Sequence, residues 1–311
     1  MTIELPEPVA HRARQAGAEG ARWVRELPAV VRDLEQRWDV TVGATIHGGT
    51  AAYVAEAVRG DGTPVVVKVL QLLDIQGVES YESAVTAMRV AGGRGCVELL
   101  GADDEHHAVL MERLGPNLDS LGLPVDVQLQ HICAALRDLW RPVPEGVELN
   151  DGPGKAAWLA ESIEDWFAAT GRPCAERTIE TVLGFCDERA RAFDRETSVL
   201  VHGDAHSWNT LAAGDGTWKL VDIEGLISSP EHDLAVPMRE LNDELLAGDP
   251  LALGLARAHR LAELTGTDAE AIWQWGSIER VATALYSASL EQWEWVTPFL
   301  TVADAWSLRR S

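Results

Sequence analysis

Lysine is scarce in this sequence: of 26 basic residues only three are lysines, Lys68, Lys155 and Lys219. Cysteine is sparse as well, and Cys96, Cys133, Cys174 and Cys186 show no CxxC spacing. That excludes a disulfide framework or a structural zinc site and suits a reducing compartment. No apolar run reaches the roughly 18 residues that a membrane-spanning helix needs. Positive charge is short overall, with 26 basic against 49 acidic residues and a net charge of −23. Nucleic acid and anionic membranes reward basic patches, so neither is expected as a partner. A cationic small molecule is compatible with such a balance. Met1–Pro8 is acidic and proline-bearing, without a basic stretch before an apolar core. A cytoplasmic protein, monomeric or weakly homodimeric, is expected.

What is present is an ordinary globular composition, 46% hydrophobic over 311 residues, enough for about two domains or lobes. Apolar residues at three- and four-residue steps, from Trp23 through Leu27, Val31 and Leu34 to Trp38, predict a helix over 9–38. Short β-type runs follow at Val40–His47, Ala51–Val58 and Thr63–Leu70, with Asp61–Gly62 as a hairpin turn. A helix over Glu79–Val90, ended by Gly92–Gly93, precedes strands at Cys96–Leu100 and Ala108–Arg113. From Val125 onward the pattern is helical, interrupted by β runs at Val199–His202, Thr210–Ala213 and Trp218–Val221. Segregated strands and helices predict an α+β, bilobal protein. A small β-rich lobe would occupy residues 1–115 and a larger helical lobe residues 116–311.

The chemistry concentrates in three places. Val201-His202-Gly203-Asp204-Ala205-His206-Ser207-Trp208-Asn209 sets an Asp and an Asn five residues apart in a polar loop between β runs. Asp222 follows thirteen residues later, at the end of Lys219-Leu220-Val221. Two carboxylates and an amide at adjacent strand–loop junctions suit Mg²⁺, which prefers hard oxygen ligands. Phosphoryl transfer needs this set, one acid for the attacking hydroxyl and an Asn–Asp pair for the metal. Singly, each residue also fits an ordinary turn or strand end.

Lys68 stands inside Val65-Val66-Val67-Lys68-Val69-Leu70. An ammonium there must reach a partner, a phosphate, or water at a sheet edge. A helix carrying Glu79 and Glu82 follows, and a strand Lys paired with a helix Glu is how kinases fix nucleotide phosphates. Glu82 is favoured over Glu79 only weakly. His47-Gly48-Gly49-Thr50, one strand and one turn upstream, permits close backbone approach to a phosphate.

This order of features resembles the aminoglycoside phosphotransferase and small-molecule kinase family, which shares the protein-kinase-like fold. Narrower segments are similar to its streptomycin 6-kinase and hydroxyurea phosphotransferase branch. They are Trp23–Trp38, Gly92–Leu100, Leu110–Gly115 and Asp222–Ile227. The resemblance implies a kinase moving the γ-phosphoryl of ATP to a hydroxyl of an aminoglycoside-like or other small acceptor. Asp204 would be the base, and Asn209 and Asp222 the Mg²⁺ ligands. Lys68 would meet the α/β-phosphates, Met111, Glu112 and Leu114 would form the hinge against adenine, and Asp233 would brace the catalytic loop. Two departures bear on the substrate: Ala205-His206-Ser207-Trp208 replaces the family's Leu-His-Pro-Gly, and Asp222-Ile223-Glu224 its Asp-Pro-Glu.

Rival readings fit parts of the pattern. They are a kinase of another metabolite, a silent nucleotide-binding pseudokinase, and a metallohydrolase built on His202, Asp204 and His206. A further expectation concerns the acidic, tryptophan-rich C-terminal region, with Trp273, Trp275, Trp293, Trp295 and Trp306. Its indoles fit core packing, or they join carboxylates in holding a cationic acceptor. Glu224, Glu279 and Glu294 are the candidates for that contact.

Overall fold

A computed structural model describes residues 3–49, 51–71 and 80–309 of the chain. The helical pattern before residue 39 divides in two, α1 (Glu7–Gln15) and α2 (Gly17–Trp38). The single helix expected over 9–38 breaks because Gly17 takes φ 59°, a left-handed conformation that glycine adopts without a steric cost. Helix α2 buries Leu27, Val31 and Leu34. That stripe packs on one face of a sheet built from β1 (Val40–Thr45), β2 (Ala52–Arg59), β3 (Pro64–Leu70), β4 (Leu99–Asp103) and β5 (Ala108–Glu112).

Strand order in this antiparallel sheet is β1-β2-β3-β5-β4. The β2–β3 hairpin forms where Asp61–Gly62 signals it, with Val58 opposite Pro64. Lys68 pairs with Val54 on one side and Val109 on the other, so it belongs to a central strand rather than an edge. Alternation then assigns the faces of β3. Val65, Val67 and Val69 pack under α2, whereas Val66, Lys68 and Leu70 look the other way, into a cleft. The strand expected at Cys96–Leu100 begins later, at Leu99, and Cys96 instead forms an isolated bridge to Leu220. Helix α3 (Tyr81–Ala91) starts on a Ser80 cap that accepts Ser83 N–H and stops at Gly92, φ 58°.

Beyond β5 the chain is mostly helical: α4 (Val125–Leu139), α5 (Gly152–Ala169), α6 (Glu176–Arg191), α7 (Ala235–Arg239), α8 (Asn242–Leu246), α9 (Pro250–Thr265), α10 (Ala269–Ser289) and α11 (Trp293–Trp306). Helix α10 is apolar on most of its circumference and runs through the middle of this lobe, against α5, α6, α7, α9 and α11. A helix buried all round belongs at a lobe centre. The β elements of this lobe are β6 (Asn150–Asp151), β7 (Val199–Val201), β8 (Thr210–Ala212), β9 (Trp218–Leu220) and β10 (Leu226–Ser228). Here β8 and β9 form a hairpin, and β10 lies between β6 and β7. The chain is therefore bilobal, with a small sheet-rich lobe and a larger helical one.

Candidate active site

The β7–β8 loop and the β9–β10 loop face the cleft side of β3, and they are tied together by backbone. Val221 N–H donates to Asn209 O at 2.9 Å, and Glu224 N–H donates to His202 O at 2.9 Å. His202 completes the tie: one ring nitrogen lies 2.9 Å from Val221 O, and the other accepts Asp204 N–H at 3.2 Å. With both ring nitrogens engaged in the protein, His202 cannot serve a metal together with Asp204 and His206. No cluster of three or more His, Cys, Asp or Glu suited to a metal occurs among the described residues. That removes the ground for the metallohydrolase reading.

Asp233 holds the first loop from behind. Its carboxylate is fully buried and accepts His202 N–H at 3.0 Å, Gly203 N–H at 2.8 Å and Trp140 Nε1–H at 2.8 Å. Burial pushes its pKa up to about 6 against these donors, which favour the anion. Gly203, at φ 93°, lets the loop pass close to Glu224, whose Oε2 would stand 2.9 Å from any added Cβ.

Asp204 reaches the cleft and is held on both oxygens. Arg239 Nη2 donates to Oδ1 at 2.9 Å, and His206 Nε2 lies 3.2 Å from Oδ2. Burial acts to raise the pKa of this carboxyl, but the His206 contact and the Arg239 guanidinium outweigh it and hold Asp204 well below the ordinary range. Arg239 closes α7, and buried Arg280 donates to its carbonyl oxygen at 2.8 Å, which fixes the end of that helix. Arg239 carries no sequence signal, because its partners come from elsewhere in the chain.

Asp222 sits at φ 61°, a backbone state seldom occupied by residues other than glycine, asparagine or aspartate. Such local strain is retained where the surroundings dictate it, commonly at functional sites. Its Oδ1 accepts Lys68 Nζ at 2.9 Å. The lysine charge holds this carboxyl below its usual value in spite of burial. Lys68 itself is only 8% exposed, so the edge-strand alternative fails.

Asn209 turns its Nδ2 to Asp204, donating to the backbone oxygen at 3.0 Å and to Oδ2 at 3.3 Å. Its amide oxygen and Asp222 Oδ2 have no hydrogen bond among the described residues. Two hard oxygens so left are the donor set that Mg²⁺ takes, with waters and phosphate oxygens completing the shell.

These groups share one cleft of about 840 Å³. Gly48 and Gly49 line its roof, with Gly48 at φ 126°, and Met111, Glu112 and Leu114 line the strand between the lobes. Thr50 and Glu79 lie outside the described residues. Glu82 is exposed in the first turn of α3, and no ion pair joins it to Lys68. The weak preference for Glu82 as the lysine's partner is therefore corrected: its side chain points to solvent. Lys219, another of the three lysines, pairs with Glu112 at 2.5 Å.

The far half of the cleft is lined by Trp158, Trp166, Tyr286, Glu224, Glu279 and Lys155. Lys155 Nζ lies 3.4 Å from Glu224 Oε2 and 5.0 Å from the Trp158 ring centre. Burial raises the Glu224 pKa, and Lys155 only partly offsets it. Glu294 is exposed in the first turn of α11, outside this lining, so its candidacy for an acceptor contact is corrected. Of the C-terminal tryptophans, Trp273, Trp275 and Trp306 are core, while Trp293 and Trp295 face solvent. The aromatic wall comes instead from α5 and Tyr286. Its residues resemble ordinary helix packing in sequence, which hid them.

The sequence model of the aminoglycoside/hydroxyurea antibiotic resistance kinases matches residues 37–289. A streptomycin 6-kinase from Streptomyces glaucescens is 30% identical over 283 residues, covering 89% of each chain. A hydroxyurea phosphotransferase from Kitasatospora aureofaciens is 31% identical over 245 residues, 75% of this chain and 67% of that one. Among solved structures, the choline kinase LicA from Streptococcus pneumoniae aligns with a TM-score of 0.62 at 14% identity, covering 91% of this chain and 99% of that one. The aminoglycoside phosphotransferase APH(4)-Ia, in a ternary complex with AMP-PNP and hygromycin B, gives 0.58 at 15%, covering 89% and 97%. These likenesses agree with the bilobal kinase-like fold, and the sequence matches go further: the chain belongs to the aminoglycoside/hydroxyurea antibiotic resistance kinase family.

Proposed function

We propose that this protein transfers the γ-phosphoryl of ATP to a hydroxyl of a small, cationic, aminoglycoside-like acceptor. The observation that carries the reading is the convergence of Lys68, Asp222, Asn209 and Asp204 on one cleft from three separate segments. The nucleotide lies between the lobes, beneath Gly48–Gly49 and against Met111–Leu114. Lys68 neutralises phosphate oxygens. Mg²⁺, held by Asn209 and Asp222, supplies charge neutralisation when bound. Asp204, held ionised, orients the acceptor hydroxyl and accepts its proton as oxygen attacks Pγ and the bond to the ADP oxygen breaks. Most of the acceleration comes from positioning and from fixed charge, since this chemistry asks little covalent work of a protein.

The acceptor half of the cleft supports a cation. Glu224 and Glu279 stand beside Trp158, Trp166 and Tyr286, a combination that favours amino or guanidino groups. Lys155 and Arg239 keep those carboxylates compensated until the acceptor arrives. The test is ATP consumption with Mg²⁺ over aminoglycosides, hydroxyurea, sugars and amino alcohols, with mass spectrometry of the products. A product heavier by one phosphoryl group, lost in Asp204→Asn, is the expected result. Nucleotide binding without any turnover across the panel would instead favour a silent pseudokinase.

A further inference from the structure

Every other lysine and arginine lining the cleft has a carboxylate partner: Lys68 with Asp222, Lys155 with Glu224, Arg239 with Asp204, and Arg113 with Glu56. Arg12 is different. It comes from α1, ahead of the stretch that matches the family. It lines the same cleft, yet its Nε and Nη2 are buried with no hydrogen-bond partner, and no ion pair reaches it among the described residues. Burial lowers its pKa, partly offset by neighbouring Tyr286 on α10.

The guanidinium is placed by a built support. Val9 and Ala13, neighbours of Arg12 on α1, are 0% and 3% exposed. Val9 O accepts Gln71 Nε2–H at 3.1 Å, directly after β3, and Glu4 O accepts Thr45 Oγ1–H at 2.9 Å at the end of β1. Gly20 of α2 lies against the Ala13 backbone, where a Cβ would fall 1.9 Å from the carbonyl oxygen. The short N-terminal helix is thus fastened to the sheet and delivers one arginine toward α10, the helix that carries Glu279, Thr283 and Tyr286 into the cleft.

Two buried guanidinium nitrogens without a partner are costly, and the cost is recovered when an anion arrives. The planar fork of arginine matches phosphoryl oxygens. Val9, one turn before Arg12, is held by Gln71, which lines the cleft three residues past Lys68, so the anion is assigned to the nucleotide. We propose that Arg12 binds the γ-phosphoryl group of ATP at the transfer end of the cleft, an arginine supplied by the N-terminal helix of the same chain. This rests on the kinase reading. Arg12 stabilises charge on the phosphoryl oxygens as the acceptor oxygen bonds to Pγ, the bond to ADP breaks, and Asp204 takes the proton.

The test is calorimetric titration of the full chain, with Mg²⁺, by ADP and by the non-hydrolysable AMP-PNP, for wild type, Arg12→Ala and Arg12→Lys. Arg12→Ala is expected to bind AMP-PNP about 10- to 100-fold more weakly, with ADP affinity within about twofold. Arg12→Lys should lie between, and guanidinium at non-denaturing concentration should partly restore AMP-PNP binding to the alanine variant. An equal loss for both nucleotides, or none for either, overturns the assignment. If wild type binds neither nucleotide, the kinase reading fails and the role of Arg12 falls with it; binding of both by wild type keeps the two questions separate.

Discussion

Lys68 Nζ lies 2.9 Å from Asp222 Oδ1, although 154 positions of chain separate them. The pair joins the central strand of the sheet to the loop after β9 and sets the proposed phosphate and metal ligands side by side. Lys68→Ala is expected to lower kcat/KM for ATP by about 100-fold or more, the scale of losing a pre-set electrostatic contact. Circular dichroism and melting should change little by comparison. An unaltered kcat/KM would count against the assignment.

As the proposed base, Asp204 is expected to be dispensable for nucleotide binding. Asp204→Asn keeps the size of the side chain and should bind ATP normally while turnover falls by about 10²- to 10⁴-fold. Rapid-quench measurement of product in a single turnover separates the two effects. Wild-type turnover by this variant would show that another group takes the proton.

With His206, Arg239 is expected to set the acid limb of the pH profile. The His206 contact and the guanidinium hold Asp204 below its usual range against burial, so in the wild type it is ionised throughout the neutral range. Its folded pKa lies below the unfolded value of about 3.9, so the stabilisation it provides is complete above that value and fades as the pH falls through the folded one. Arg239→Gln removes the cation and leaves the burial. The acid limb of kcat/KM should then move to higher pH, a shift that a purely structural role for Arg239 does not produce.

Asp233 accepts three hydrogen bonds at the root of the catalytic loop. Asp233→Ala leaves Trp140 Nε1 and the amides of His202 and Gly203 without an acceptor. At about 1–3 kcal/mol for each buried unsatisfied donor, destabilisation of at least about 3 kcal/mol is expected in denaturant titrations. Amide exchange at residues 202–203 should rise more than exchange in the β2–β3 hairpin.

Acceptor recognition divides the three carboxylates. Glu224→Gln and Glu279→Gln should each raise KM for a cationic acceptor by about tenfold, close to one charge-assisted contact. Glu294→Gln, exposed on α11, should leave it unchanged. Equal behaviour of all three in steady-state kinetics would place acceptor binding elsewhere.

Much of the site was readable because its parts are local in sequence. Asp204 and Asn209 share one loop, and Asp222 follows a short strand whose apolar residues mark it. Lys68 stood out because an ammonium in a valine run needs a reason to be there. What escaped notice was contributed by ordinary helical text: Arg239, Lys155, Trp158, Trp166 and Arg12. The same blindness favoured Glu82, since helix phase could not be fixed from so weak a pattern, and favoured Glu294, since an acid among tryptophans looks alike on either face of α11. The helix over 9–38 was read through Gly17, whose left-handed turn splits it.

The sequence by itself indicated a sheet-rich part followed by a helical one, the family, and the candidate ligands in the loop after β7 and at the end of β9. It did so because hydrophobic period, turn residues and adjacent polar ligands act over a few residues. Scarcity of lysine drew attention to Lys68; that Lys155 also lines the cleft, and that Lys219 pairs with a residue lining it, came from the structure. Only the tertiary structure decided which charges compensate one another. Asp222 meets Lys68, Asp204 meets Arg239, Glu224 meets Lys155, and two nitrogens of Arg12 are buried without a hydrogen bond among the described residues. Coulomb energy and desolvation depend on distance and burial in space, and those are set by how α1, α5, α7 and α10 pack around the cleft.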